Sequence, residues 1–371
     1  MSQTDDFSLS KTILTLLMLV RLSIGKESNP CFPDHVDWYQ LIELAFKQGL
    51  TFWASDGLQI YYDTHPQIDA STQAVLDHLY AEELDIERMQ FFLMLKPQEK
   101  MYLQHERAIA SLAQFYGRHN IPMMLLKGHG LSLNYPKPSL RPTGDIDIYL
   151  FGKWREADYI IHAEKGIEVS NEHEHHTTFN WEGISVENHY DFVNTHTRRS
   201  NRKLETEFKQ MAQDKGHTVE IDGQVIYLPS PNLNALFLLR HASMHFAAEG
   251  ISLRHVLDWA FFVESQGIHV DWPWLVKRAR YYNMHRFLSC IDQICVEHLG
   301  FSPSIFPILE VDTNLTDQVL SDIFQFDGMT LNETIPQKMK RWASRRWQYN
   351  ICFSDSRLSY FLTSMWEHLK R

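Results

Sequence analysis

Three carboxylates have the spacing best suited to chemistry. "RPTGDIDIYL", residues 141 to 150, sets Asp145 and Asp147 two apart in a run that otherwise reads as a strand. Side chains alternate across a strand, so positions i and i+2 share a face about 7 Å apart, at about 3.3 Å of rise per residue. Ile146 and Ile148 then face the core. Two adjacent carboxylates both stay ionised at neutral pH only where a cation or strong donors offset their repulsion. A third acid, Glu187, follows Val186 in "SVENHY", a second strand-like run. If the two strands are neighbours, their separation of about 4.8 Å brings Glu187 to the aspartates. Three such acids can hold one or two Mg2+ ions, and two ions about 4 Å apart would clamp the entering and leaving oxygens of an in-line phosphoryl displacement.

The elements that must position these acids are legible from the change of hydrophobic period. From Val36 to about His119 the apolar residues recur at three-to-four spacing, the mark of helices. "IPMMLLK", Ile121 to Lys127, is instead a continuous apolar run ending in Lys-Gly, which predicts a short buried strand and a turn. "GHGLSLNY" can start a helix, which Pro136 and Pro138 break before the "DIDIYL" strand. "KWREADYIIHAEKG" predicts a helix returning to "IEVSNEHEHHTTFNW", and the turn "WEG" joins that segment to "ISVENHYDF". A second hairpin, "HTVEIDGQVIYLP", turns at Asp222-Gly223. From Pro231 the pattern is helical almost to Arg371. The expected fold class is α+β, a small mixed sheet flanked by helical units, divided as residues 1–100 (helical), 101–229 (α/β core) and 230–371 (helical).

Composition narrows the classes of function. The 371 residues are 44% hydrophobic and 13% aromatic, which excludes general disorder. With 35 lysines and arginines against 46 acids the net charge is -11, which argues against a broad nucleic-acid surface and leaves room only for a local basic patch. The four cysteines form no CxxC pair, so neither a disulfide framework nor a zinc-cysteine site is expected, and a reducing cytoplasm fits. The most apolar stretch, "KTILTLLMLVRLSIGK" from Lys11 to Lys26, is interrupted by Arg21 and too short to span a bilayer; it reads as a buried helix.

Three stretches together carry a resemblance to a known family. They are "LLKGHGLSLNYPKPSLRPTGDIDIYL" from Leu125 to Leu150, "VENHYDF" from Val186 to Phe192, and "LFLLRHASMHFAAEGISLRHVLDWAFFV" from Leu236 to Val263. The set resembles the nucleotidyltransferase superfamily that includes DNA polymerase β, and most closely its bacterial group of uncharacterised nucleotidyltransferase-like proteins. The resemblance implies transfer of an NMP from an NTP to a hydroxyl of an unidentified acceptor, with Mg2+ or alternatively Mn2+. Asp145 and Asp147 would then ligate metal and bridge it to the triphosphate. Glu187 would help ligate a second ion and assist deprotonation of the acceptor. The superfamily turn is usually Gly-Gly or Gly-Ser; here it is Gly128-His129-Gly130, without the hydroxyl. Gly128 and Gly130 would let backbone approach the phosphates and Lys127 would add charge. Arg141 would either fork onto a phosphate or brace the carboxylates, and His189, on the face of Glu187, would touch nucleotide or acceptor.

Two alternatives stand beside this reading. Asp-x-Asp also holds Mn2+ and a nucleotide-sugar in glycosyltransferases, and the altered turn is compatible with a nucleotide-binding or interaction protein that lacks turnover. Other clusters read more plainly. In "NEHEHH", His173 and His175 share a strand face but no further ligand is set by spacing, so the segment reads as a polar strand without a structural metal. His241 with His245, and Arg254 with Asp258, predict a polar contact between two helices or, alternatively, an acceptor pocket. In "PQKMKRWASRRW" the residues Met339, Trp342 and Trp347 predict the buried side of a helix, with its cations in solvent.

Overall fold

The computed structural model describes residues 9–33, 36–64, 95–172, 175–196, 198–214, 216–326, 334–359 and 363. Three helices come first: α1 (Lys11–Ser23), α2 (Trp38–Lys47) and α3 (Thr51–Thr64). The apolar stretch from Lys11 is thus α1, capped by Ser10 and buried at Leu16, Leu19 and Val20. It crosses α3 so closely that a Cβ on Gly57 would lie 2.0 Å from the Leu19 carbonyl oxygen, which only a glycine avoids. Among the described residues no helix is long and apolar enough to cross a membrane.

Helix α4 (Leu95–Arg118) leads to β1 (Met124–Leu125), the one-turn α5 (His129–Ser132), β2 (Ile146–Tyr149), α6 (Trp154–Lys165), the hairpin of β3 (His176–Trp181) and β4 (Ile184–His189), α7 (Arg199–Ala212), and the hairpin of β5 (His217–Ile221) and β6 (Gln224–Leu228). Both hairpins close through two residues with positive φ, Glu182-Gly183 and Asp222-Gly223, the mirror-image turn whose twist matches that of the strands. The six strands form one mixed sheet in the order β3-β4-β2-β1-β6-β5. β2 runs parallel to β4 and β1 parallel to β6; β1 with β2 and both hairpins are antiparallel. The fold is α+β, as the sequence predicts.

The period of two divides the sheet chemically. Ile146, Ile148, Phe179, Trp181, Ile184 and Val186 enter one core with Ile109, Leu112 and Tyr116 of α4 and with Ala157 and Ile161 of α6. At about 1.5–3 kcal/mol for each large apolar side chain buried, that face fixes the register of the sheet. The alternate residues Asp147, Glu187, His189 and His176 are left for the opposite face.

That face meets the C-terminal helices α8 (Pro231–Ala248), α9 (Leu253–Gln266), α10 (Trp272–Tyr281), α11 (His285–Glu297), α12 (Thr313–Phe324), α13 (Ile335–Ser344) and α14 (Arg346–Cys352). A second core joins them to α1–α3. Trp53 stacks on Tyr135 with ring centroids 5.3 Å apart, and the buried Gln48 amide donates to the Ile323 carbonyl while accepting from the Leu253 N–H. One expectation fails locally. Met339 is 51% exposed on α13 and takes no place in a buried side, whereas Trp347 packs edge-on against Phe246.

Candidate functional site

Parallel pairing of β2 and β4 sets Asp147 opposite Glu187 and Tyr149 opposite His189. The predicted convergence of the two acid-bearing strands is therefore present as a register. Asp147 is 8% exposed, Glu187 half-buried, and Asp145 lies exposed one residue before β2. Ligand atoms of Asp147, Glu187 and His189 all lie within 4.8 Å of one another; among the described residues Asp145 does not join that group.

Lys127 and His189 together hold Asp147. Lys127 Nζ lies 2.8 Å from Asp147 Oδ1, and His189 Nε2–H donates to the same oxygen at 2.9 Å while standing 3.2 Å from Glu187 Oε2. Burial alone raises the Asp147 pKa, but Lys127 and His189 outweigh it and hold the carboxyl well below the usual range. Burial alone lowers both Lys127 and His189. The field of Asp147, with Glu187 behind it, reverses this and leaves both above their ordinary values. Asp145 moves the other way, raised by partial desolvation and then by the charges of Glu187 and Asp147. The answer to like-charge repulsion on this strand is a lysine from the preceding turn and a histidine from the neighbouring strand.

The turn before α5 brings Lys127 to the site. Gly128 has φ +52, and a Cβ there would stand 3.2 Å from the Asp145 carbonyl and 3.7 Å from Asp147 Oδ2, so this position needs both the backbone freedom and the space of glycine. Gly130 faces Leu125 and Leu228 at ordinary contact distance. His129, which stands where the superfamily turn usually has Gly or Ser, points inward: it is 3% exposed and stacks on Tyr102 at 4.6 Å. Burial, with His105 and Arg141 nearby, pushes its pKa down to about 3, so the ring is neutral.

Arg141 has a partner that neither expectation named. Its Nε and Nη2 donate to Asp258 Oδ1 and Oδ2 at 2.7 and 3.0 Å, and the Tyr135 hydroxyl donates to Asp258 Oδ1 at 2.6 Å. All three side chains are buried. The guanidinium thus fastens the loop before β2 to α9, while its charge still reaches Asp147 from a distance. Asp258 is an isolated charge in the apolar run "VLDWAFFV", which signals a buried partner, but its pairing with Arg141 across 117 residues has no local trace.

Two groups of histidines stand near the carboxylates. His241, His245 and His255 form a ring cluster between α8 and α9, with His241 and His245 centroids 4.5 Å apart. His241 is held far below its ordinary pKa by burial and then by Lys127, which places it toward the carboxylate site. The second group is formed by the β3–β4 register, which sets His176 directly opposite His189. His173 lies outside the described residues. A cavity of about 220 Å3, lined by Leu126, Gly130, Asn134, His217 and Phe262 among others, contains none of the three carboxylates.

The carboxylate donor set fits a hard divalent cation. Two carboxylates converge from adjacent rigid strands, a third flanks them, and the positions around Asp147 already attract positive charge from two side chains.

A family model described as uncharacterised nucleotidyltransferase matches residues 34–300, and the chain belongs to that family. The match takes in the whole sheet together with α8 and α9. No curated protein matches the chain. Among solved structures it is similar to an antigenic nucleotidyltransferase-like protein from Paracoccidioides brasiliensis, with 14% identity over 43% of this chain and 75% of that chain and a TM-score of 0.32.

Proposed function

We propose that the protein moves an NMP from an NTP to a hydroxyl of an acceptor, with Mg2+ as the preferred ion and Mn2+ as its substitute. The observation that supports this reading most is the pairing of Asp147 with Glu187 across two parallel strands, beside Asp145. These three carboxylates would hold the divalent ion, which when bound supplies charge neutralisation for the triphosphate and a more acidic acceptor hydroxyl. Glu187, half-buried, would take the acceptor's proton on a carboxylate oxygen. Lys127, which pairs with Asp147, would also supply positive charge to a phosphate oxygen of the departing pyrophosphate. Gly128 keeps the approach to the carboxylates open, Arg141 positions the loop that presents Asp145, and His189 orients Asp147.

One observation favours a second reading, nucleotide binding without turnover. The Lys127 ammonium and the His189 ring already engage Asp147, an arrangement complete in itself. Thermal melts and product analysis separate the two. A ligand bound only to the folded state adds about 2.7 kcal/mol at a hundredfold excess over Kd. NTP with Mg2+ should therefore raise the melting temperature, NTP with chelator should not, and Asp147→Asn should lose the response. Mass spectrometry of NTPs incubated with cell extract then identifies the acceptor. A melting shift with no transferred NMP selects the second reading, and silence towards every NTP refutes both.

A further inference from the structure

Beyond the carboxylates, the β3–β4 end of the sheet carries a nitrogen-rich group of which the proposed nucleotidyl transfer uses only His189. The antiparallel β3–β4 pairing sets His176 opposite His189, and the His175 carbonyl accepts from the N–H groups of both Tyr190 and Asp191 at 3.1 Å. Two backbone bonds at the His175 carbonyl and the β3–β4 register thus bring the backbone of the three histidines together. Ring centroids of His175, His176 and His189 stand 4.6, 5.5 and 5.1 Å apart, and one nitrogen from each lies within 4.8 Å of the others. His189 is buried, and its Nδ1 has no hydrogen-bond partner among the described residues.

We infer that His175, His176 and His189, with Glu187 as an oxygen ligand, bind one borderline divalent transition metal of the Zn2+ class. Imidazole nitrogen suits such ions, whereas Mg2+ takes oxygen. Three histidines and one carboxylate make a complete tetrahedral set, whose neighbouring ligand atoms stand about 3.3 Å apart for metal–nitrogen bonds of about 2.0–2.1 Å. Glu187 stands beside two of the imidazoles through different oxygens: its Oε1 is 3.6 Å from His176 Nε2 and its Oε2 3.2 Å from His189 Nε2. The ladder fixes the backbone of His176 and His189, and metal binding would draw their rings and that of half-buried His175 together by side-chain rotation. His189 belongs to both groups, so the imidazole site adjoins the carboxylates. The sequence reading of "NEHEHH" as a polar strand lacked the ligands that β4 supplies.

Cobalt tests this without nucleotide. The full chain, stripped with chelator, should take up one equivalent of Co2+ with the intense visible bands of tetrahedral nitrogen ligation. Zn2+ should displace it, and excess Mg2+ should not. His175→Ala should weaken Co2+ binding by more than the roughly 10- to 100-fold lost when only an outer partner of a ligand is removed. His175→Ala should also keep the melting response to NTP with Mg2+, so that this site and the proposed nucleotidyl site fail separately. His176→Ala should act like His175→Ala on Co2+; should it fail to fold, His175→Ala, at a half-buried position, carries the test alone. Absence of uptake, displacement by Mg2+, or uptake that Asp147→Asn abolishes and His175→Ala leaves intact would each overturn the inference.

Discussion

Replacing Asp258 by asparagine should destabilise the protein more than any single change at the candidate site. The carboxylate is 7% exposed and receives two parallel bonds from Arg141, itself 5% exposed, together with the Tyr135 hydroxyl. Burial alone would raise the Asp258 pKa; Arg141, with Arg254 nearby, overrides it and holds the group ionised. Asparagine keeps one oxygen for Tyr135 and Arg141 Nε but turns an amide NH2 against the guanidinium, leaving a buried cation without its counter-charge. Breaking one half of a buried pair costs about 3–5 kcal/mol. With an unfolding entropy near 2.1 cal/mol/K per residue, a chain of this length loses roughly 4–6 °C in Tm. Urea unfolding followed by tryptophan fluorescence measures the cost directly. Arg141→Met added to Asp258→Asn removes the stranded charge and should restore much of the loss, giving a coupling well above 1 kcal/mol in a double-mutant cycle. A cost below 1 kcal/mol for Asp258→Asn, or additive losses in the double variant, would refute the assignment of Arg141 as a fastener. The folded double variant should also keep its response to NTP with Mg2+; its loss would return Arg141 to a phosphate.

Three more outcomes are expected. Glu205 is 5% exposed, and burial, with Asp191 beside it, raises its pKa from 4.5 to about 7. Between those values the folded state holds a proton that the unfolded chain has released, so this group subtracts stability as pH rises from 4.5 through 7, by up to about 3 kcal/mol. Glu205→Gln should accordingly match wild type near pH 4.5 and exceed it at pH 8 in urea unfolding; an equal difference at both pH values would show that the charge is not the cause. Gly128→Ala, strained by its positive φ, should cost about 1–2 kcal/mol and weaken the melting response to NTP with Mg2+, and an alanine variant equal to wild type in both would remove the turn from the site. Glu187→Gln should fold with wild-type stability and abolish NMP transfer, and full turnover in this variant would leave Asp145 and Asp147 as the only acids that matter.

How much of this was legible depends on whether a feature is set locally. The two hairpins were, because Glu182-Gly183 and Asp222-Gly223 adopt positive φ, which few residues tolerate and which mark a turn in any context. The alternation of Ile146 and Ile148 with Asp147 was also legible, since a sheet with one apolar face writes a period of two into the chain. Strand order was not. β1 lies between β2 and β6, which depends on a parallel pairing of Met124 with Tyr227 that no short-range pattern encodes. Lys127 was visible as a charge at the end of an apolar run, but its bond to Asp147 exists only because β1 and β2 are antiparallel neighbours.

His176 lies between these cases and shows what a sequence can yield beyond motif spacing. Counting back along β3 and forward along β4 from the Glu182-Gly183 turn pairs Trp181 with Ile184, Phe179 with Val186, Thr178 with Glu187 and His176 with His189. The turn type therefore decides which imidazole meets which. A one-residue slip would exchange the faces, setting Asn188 and Thr177 beside Asp147 and burying Glu187 against α6, where Asp158 now binds Asn188 and Thr177. The apolar pairs on the other face oppose such a slip. The packing of Phe179, Val186 and Ile148 thus holds the carboxylates and imidazoles in place without touching them, which is why the chemistry of this face rests on residues that carry none.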